Sequence, residues 1–596
     1  MNLQPRPTDT RRACLSALGI SAASVLVLLS GCASPFQPTG QEEMRTQVLN
    51  SLARELARSN EYPEAQTVHR ETSSDVLGIR PEFMTEVEQM AGPDSYTADM
   101  LTPGEDLFGQ PVRVARIGLE RAVRTALANN LQTAFARLNP AISREQLVEA
   151  QSQFDTVLFA DSTYSSLDQP RTRQTVGSNT IGTGAFAENS TTLNSGLRKR
   201  LETGATLAVQ QDLTLTDSRT PSQTSDPDPS NQVAWTLQLT QPLLRGFGSD
   251  ISLASVRIAR NAERSEIEAL RANLIQLVTD TEQAYWNLYV AQHDVMILER
   301  NLERARETLR QIELRDFKTN SAQIASARAD VQSRIQNVIE ARNTLSVTSD
   351  TLKRLINDDE LTLGSDILIL PSDIPADETT TFSIRDCLMT AIEHRPELMQ
   401  AVLGMDDAST RVRAANNARL PQLDLQLQAK LNGLDDDWGS AWSETAEGQF
   451  VDYLVGLNFE YPLGNREAEA IYRRQRHQQA QASLSYRDAV QGVVQEVLTA
   501  LRDVRTNYIL IGQAELSRLA AAEQLRVLNV EKQFTRENSI ALLNEELRDQ
   551  DSLANAERQE IRAIANYNTA IARLYAAMGT SLERNRIDMQ MPGVEN

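Results

Sequence analysis

Two stretches decide how this chain folds: TLQLTQPLLRGFG at 236–248 and VGLNFEYPLGNREAEA at 455–470. Every second residue through each is apolar, Trp235, Leu237 and Leu239 in one, Tyr453, Val455, Leu457, Phe459 and Tyr461 in the other. Thr236, Gln238 and Thr240, or Asn458 and Glu460, stand between them. This is the period of a strand with one greasy and one wet face. Proline cannot donate to a sheet ladder, so Pro242 and Pro462 mark where each strand leaves its sheet. Each Pro-Leu, Pro242-Leu243 and Pro462-Leu463, then hands directly to a long polar helix. The same order occurring twice means one supersecondary unit used twice.

The N-terminus shows where such strands are useful. Arg6, Arg11 and Arg12 precede an apolar run from Ala13 to Leu29, which closes on Leu29-Ser30-Gly31-Cys32. This is the pattern of an export signal. Its ending resembles a bacterial lipobox, which implies acylation of Cys32, palmitate included, and with Ala33 next to it, sorting to the outer membrane. The formal charge is −21; removing residues 1–31 takes away three arginines and Asp9, leaving −23 for the mature chain. Such acidity argues against nucleic acid as a partner. Beyond the signal no segment carries the ~18 apolar residues of a spanning helix, so any crossing of a membrane must be made by strands.

Residues 33–110 are polar and proline-containing, with one short amphipathic piece near 43–59, and read as an extended tether. Apolar stripes at helical spacing follow, through Ala122, Val123, Ala126 and Leu127 and again through Cys387, Leu388, Ala391 and Ile392. Each leads into strands, near Phe154 and at Leu420-Pro421. Between 165 and 232 the chain is rich in Ser, Thr, Gly and Asn, yet Glu202-Thr203-Gly204 separates two alternating runs and predicts an extra hairpin over 190–217. Whether that hairpin lengthens the wall or stands outside it is open in the sequence.

After each Pro-Leu, 249–316 and 466–535 contain no proline, and at 1.5 Å per residue each helix would reach on the order of 100 Å. Charged and small residues alternate along them as in packed coiled-coil rods. Each rod turns back at a polar tip, Phe317 to Ser321 and Phe534 to Ser539. The returning rods are in pairs of shorter helices, about 322–357 with 383–418 and 540–579 with 116–152. The chain thus divides into a signal peptide (1–31), a tether (32–110), a first repeat (111–357), an equatorial connector (358–382), a second repeat (383–580) and a tail (581–596).

The lipobox, the doubled helix–strand–strand–helix unit, QPLLRGFG and YPLGNR at the strand-to-helix switch, and rods ending in Arg354-Leu355 and Arg573-Leu574 together resemble the TolC-type outer-membrane efflux family over about 111–580. The resemblance implies a mixed α/β membrane protein: a homotrimeric transmembrane β-barrel, four strands from each protomer and about twelve in all, continuous with a periplasmic α-helical coiled-coil tunnel. It implies an exit duct for tripartite efflux or type I secretion, in the outer membrane, lipid-anchored, working with a periplasmic adaptor and an inner-membrane pump. Adaptor contact then falls at the tips, Thr319, Asn320 and Ser321 with Glu537, Asn538 and Ser539. Family members commonly have a glycine in each tip turn; here the corresponding places are Asn320 and Glu537 or Asn538, of which asparagine tolerates left-handed geometry. Acidic residues past the second tip narrow the pore in the family, and Glu546 with Asp549, three apart on one helical face, are the nearest equivalents here.

No enzyme constellation accompanies these features. His69, His293, His394 and His477 lack metal-ligand spacing, Cys387 reads as a small buried hydrophobe, and no phosphate loop or nucleophile elbow occurs, so no catalysis, metal or cofactor is expected. The competing reading is a lipid-anchored structural coiled-coil protein linking the outer membrane to periplasmic partners. It leaves the amphipathic strands unexplained.

Overall fold

The computed structural model describes residues 77–92, 95, 104, 110–170, 174–176, 179–181, 185–219, 227–314, 321–365, 367–534 and 540–587. They fall into two compact units, one built from 151–255 and 408–477, the other from the remaining segments.

The second unit includes a helix, α1 (Pro81–Ala91), inside the stretch read as an extended tether. Val87 and Ala91 are fully buried against Leu519, Ala522, Leu525 and Leu553. Arg518 and Arg304 each donate to a carbonyl at its C-terminus, Ala91 O and Met90 O, at 2.7 Å, a favourable place for cations. Strand β1 (Arg113–Ile117) follows, then α2 (Leu119–Asn129) and α3 (Leu131–Ser152).

In the first unit lie β2 (Thr156–Pro170), β3 (Gln174–Val176), β4 (Asn179–Ile181), β5 (Ala185–Arg200), β6 (Thr206–Ser218) and β7 (Ser230–Pro242). The rods come next: α4 (Ser249–Ser252), α5 (Ala254–Leu314) and the returning α6 (Ser321–Ile356). The connector supplies β8 (Ile367–Pro371), which pairs in parallel with β1, Ile117 opposite Pro371. The second repeat then runs α7 (Ile384–His394), α8 (Pro396–Asn417), β9 (Gln422–Asp435), α9 (Trp438–Glu447), β10 (Phe450–Glu460), α10 (Arg466–Phe534), α11 (Ile540–Ala577) and α12 (Ser581–Arg584).

The internal repeat is visible in helix lengths. α2 and α3 have 11 and 22 residues, and so do α7 and α8. In the second copy the break falls at Arg395, held extended by Pro396 behind it. The first copy uses Asn130, whose Oδ1 accepts from the amides of Gln132 (2.9 Å) and Thr133 (3.2 Å) and so caps α3.

Around the connector Tyr285, Leu288, Leu345, Leu352, Ile356 and Ile369 are buried to 2% exposure or less. The Tyr285 hydroxyl donates toward Asp373 Oδ2 (2.9 Å) and accepts from the amides of Ser372 (3.2 Å) and Asp373 (3.1 Å). A buried phenol with these partners ties the small sheet to α5, and burial pushes its pKa to about 12. Cys387 is 4% exposed, as expected for a small buried hydrophobe.

Beside the two-stranded β3–β4 hairpin, the main sheet of the first unit is antiparallel with six strands, ordered β10-β9-β7-β6-β5-β2. The extra hairpin is therefore part of it, and the sheet has two strands more than the resemblance implies. β5 and β6 lie between β2 and β7, joined by the turn at Glu202-Thr203-Gly204.

Candidate functional site

The register sorts every side chain of the sheet to one of two faces. Leu158, Leu197, Val209, Leu237, Ala429 and Tyr453 stand in one cross-strand row. Leu425 opposite Leu457, Leu427 opposite Val455 and Leu207 opposite Leu239 share that face. Its charged residues, Lys199 at one end and Asp168, Asp217 and Asp435 at the other, leave the middle without charge. The opposite face carries the row Asp161, Asn194, Asp212, Ala234, Asn432 and Phe450, with Asp452 opposite Lys430 in the next row of that face. Asn194 Nδ2 donates to Asp161 at 2.8 Å and Asn432 Nδ2 to Asp452 at 2.7 Å. An apolar band without charge in its middle, backed by a hydrogen-bonded polar face, is what a wall between lipid and water requires. Leu457, Val455 and Tyr453 are exposed on it in the single chain.

At one end of the sheet both strand-to-helix switches are built with tight turns. The Leu243 amide donates to Leu423 O at 2.7 Å just after Pro242. Gly246 and Gly248 take positive φ, +85° and +99°, and Gly464 and Asn465 after Leu463 take +91° and +38°. Asn417 Oδ1 accepts from the Gly246 amide (2.7 Å), while Asn465 Nδ2 donates to Arg419 O (2.9 Å). The hairpin turn docks here as well. Gly204, at φ +90°, lies so close to the Gly246 carbonyl oxygen that a Cβ would overlap it, and the Gly248 amide donates to Thr203 O at 3.1 Å. Gly204→Val is expected to cost on the order of 1–3 kcal/mol through strain and collision. It should lower the temperature at which the assembled protein dissociates on a denaturing gel; an unchanged temperature would show the turn to be free of the switch.

At the far end of the sheet α9 lies on the apolar face. Asp437 caps it, accepting from the amides of Gly439 (2.8 Å) and Ser440 (3.2 Å). Gly433 leaves room for the backbone of Ala441, and Thr445 Oγ1 donates to Val233 O at 3.2 Å. Trp442 meets Trp235 edge-on at 6.3 Å, with Trp438 one helical turn away, so three of the four tryptophans gather there, each about two-fifths exposed. Amphipathic indoles favour a water–lipid boundary.

The acids expected to narrow a pore are placed differently. Glu546 and Asp549 are each 6% exposed, inside the packing of a single chain. Glu546 pairs with Lys532 of α10 and accepts from Thr308 Oγ1 of α5 at 3.3 Å. Asp549 accepts from Gln524 Nε2 at 2.7 Å, and burial, followed by the nearby Glu545 charge, pushes its carboxyl up. These partners give both residues a packing role, and lining a passage would require that helix interface to open. Nearby, the buried Arg334 donates to Asn301 O (3.0 Å), Asn301 Oδ1 (2.8 Å), Gln550 Oε1 (3.0 Å) and Leu547 O (2.9 Å), and faces Asp330 and Asp551. Asp294 holds Arg558 bidentately at 3.0 Å and Arg562 at 2.8 Å. These hubs join α5, α6 and α11.

Beneath the C-terminus of α1, Glu557 is 1% exposed with its nearest cation, Arg304, at 3.9 Å. Burial raises its pKa from 4.5 to about 7. The folded state therefore binds the proton more tightly than the unfolded one, and this stability is fully present below about pH 4.5 and lost as pH rises towards 7. Glu557→Gln should flatten that part of the melting-temperature profile; parallel profiles for parent and variant would contradict this.

Of the tip residues only Ser321 is described, exposed at the first position of α6. Thr319, Asn320, Glu537, Asn538 and Ser539 lie outside the described residues, as does Cys32. Among the described residues no group of His, Cys, Asp and Glu is arranged to hold a metal, and no helix is long and apolar enough to cross a membrane.

The class the fold defines is an amphipathic antiparallel sheet whose strands pass by tight turns into helical rods of 61 and 69 residues. Residues 388–580 match the family model described as outer membrane efflux protein. Three solved structures similar to the chain are CusC (16% identity, 78% of this chain and 93% of that one covered, TM-score 0.55), the Campylobacter jejuni CmeC outer membrane channel (15%, 82% and 96%, 0.53) and the Neisseria gonorrhoeae MtrE outer membrane channel (19%, 78% and 89%, 0.54). No curated protein matches the sequence. Residues 388–580 are thus similar to the outer membrane efflux protein family, and the chain shares the fold of these solved channels, as the resemblance read from the sequence implies.

Proposed function

We propose that this protein is the outer-membrane exit duct of a tripartite efflux or type I secretion system, a passive channel with no enzymatic step of its own. The observation that carries the reading is the apolar face running across all six strands, without charge in its middle, opposite a polar face that carries Asp161, Asp212 and Asp452. An open sheet edge is not tolerated in lipid, and six strands are too few to enclose a passage, so copies of the chain must share one barrel. Three copies fit the efflux fold. The paired rods would then form the periplasmic tunnel, and the tip residues around 319–321 and 537–539 would meet a periplasmic adaptor beneath which an inner-membrane pump loads the cargo. An acyl group on Cys32 would add a second hold on the membrane.

Two measurements on cells test this. The parent protein should run from outer-membrane fractions as an oligomer that dissociates only on heating, and photo-crosslinkers at 319–321 and 537–539 should capture an adaptor. A monomer confined to the soluble periplasm would overturn the reading. For the anchor, mass spectrometry should find an acylated Cys32 at the mature N-terminus, with Cys32→Ser losing the lipid yet still assembling through its sheet; an unmodified Cys32 would remove the anchor from the account.

A further inference from the structure

The hairpin Ala185–Ser218 has no counterpart in a wall of four strands per chain. We propose that each chain gives all six strands to the membrane wall, so that the assembled barrel holds a multiple of six, eighteen for three copies, with the free edge of β2 pairing to the free edge of β10 in the next copy. The proposal rests on the duct reading above and specifies how wide that duct is.

Four observations support it. First, both hairpin strands keep the two-face rule: Leu193, Leu197, Val209 and Leu213 fall on the apolar face, Asn194, Thr192, Asp212 and Thr214 on the polar one. Second, the polar row is continuous through the hairpin, since Asn194 of β5 donates to Asp161 of β2 at 2.8 Å and stands opposite Asp212 of β6. Third, Gly196 of β5 accommodates the ring of Phe159 of β2, because a Cβ there would come within 2.9 Å of its Cζ. The hairpin is thus fitted side chain by side chain between β2 and its neighbours. Fourth, strand direction permits closure. The six strands alternate, so β2 leads away from the switch end and β10 returns to it, and the two edges meet antiparallel in a ring of any number of copies. At 15 and 11 residues, both edge strands are long enough to span when tilted.

The consequence is lumen width. With strands ~4.8 Å apart and tilted ~40°, twelve enclose a backbone diameter of about 24 Å and eighteen about 36 Å, roughly 2.25-fold in cross-section.

Single cysteines at Leu193, Asn194, Asp212 and Leu213 in the full-length protein, labelled with an environment-sensitive fluorophore and reconstituted, test the wall directly. Labels at 193 and 213 should be quenched by nitroxide lipids several-fold more than those at 194 and 212, with the reverse order for aqueous iodide. Paired cysteines scanned over 158, 160 and 162 in β2 and 453, 455 and 457 in β10 should give disulfides between copies at one register. Aqueous quenching at all four hairpin positions, or no β2–β10 disulfide at any register, would overturn the six-strand wall. If the parent still conducts in that case, the duct reading stands and only the strand count falls; if the parent does not conduct, the duct reading itself fails.

Discussion

Leu457→Arg should abolish stable assembly in the outer membrane, whereas Asn458→Arg, one residue further along β10, should leave it largely intact. Leu457 stands opposite Leu425 on the apolar face and is 68% exposed in the single chain; Asn458 stands opposite Asp424 on the polar face. An arginine at the midplane of a lipid-facing strand costs about 2–4 kcal/mol, and a shared barrel repeats that cost in every copy. The polar face meets water, where a guanidinium loses little. Outer-membrane fractions of the two variants, compared for oligomer on an unheated gel, give the answer. Equal tolerance would mean that the alternation of the strands has another cause, and the wall reading would fail with it.

Arg334→Ala should be the most damaging change in the helical unit. Arg334 is 2% exposed, and its loss strands Asn301, Gln550 and the Leu547 carbonyl, together with the charges of Asp330 and Asp551. Removing one partner from a buried charged network costs roughly 3–5 kcal/mol. Lysine keeps the charge but not the planar fork that reaches several acceptors at once, so Arg334→Lys should recover only part of the loss. Thermal unfolding followed by helical circular dichroism should rank parent above Lys above Ala. Coincident melting of parent and Arg334→Ala would show that the three helices are held by their apolar contacts alone.

Legibility followed the physics of each element. The strands ending at Pro242 and Pro462 could be read because their alternation is strict and a proline marks the exit. The long rods could be read because nothing in them stops a helix. The breaks at Arg395 and Asn130 were not read, since 383–418 and 116–152 each passed for one helix: the apolar period runs on past Pro396 to Leu398, and an asparagine cap inside an apolar-periodic stretch looks like any polar position. The hairpin was visible as a turn, but its place in the wall was not. Ser195 and Gln211 dilute its apolar face, and only the register against β2 and β7 shows that the face is shared. The α9 helix was hidden in a glycine-bearing loop, although Trp438 and Trp442, four apart behind Asp437, are its signal. Glu546 and Asp549 share a helical face just as a solvated pair would; the Lys532, Gln524 and Thr308 that bury them lie on other helices, beyond the reach of one helix's periodicity.

The central claim, that copies of this chain enclose a water-filled passage through the outer membrane, is tested most directly by single-channel recording. Purified, full-length oligomer added to a planar lipid bilayer should produce discrete, persistent conductance steps, and Leu457→Arg protein should produce none. A bilayer that stays electrically silent with intact, membrane-inserted oligomer would contradict the account.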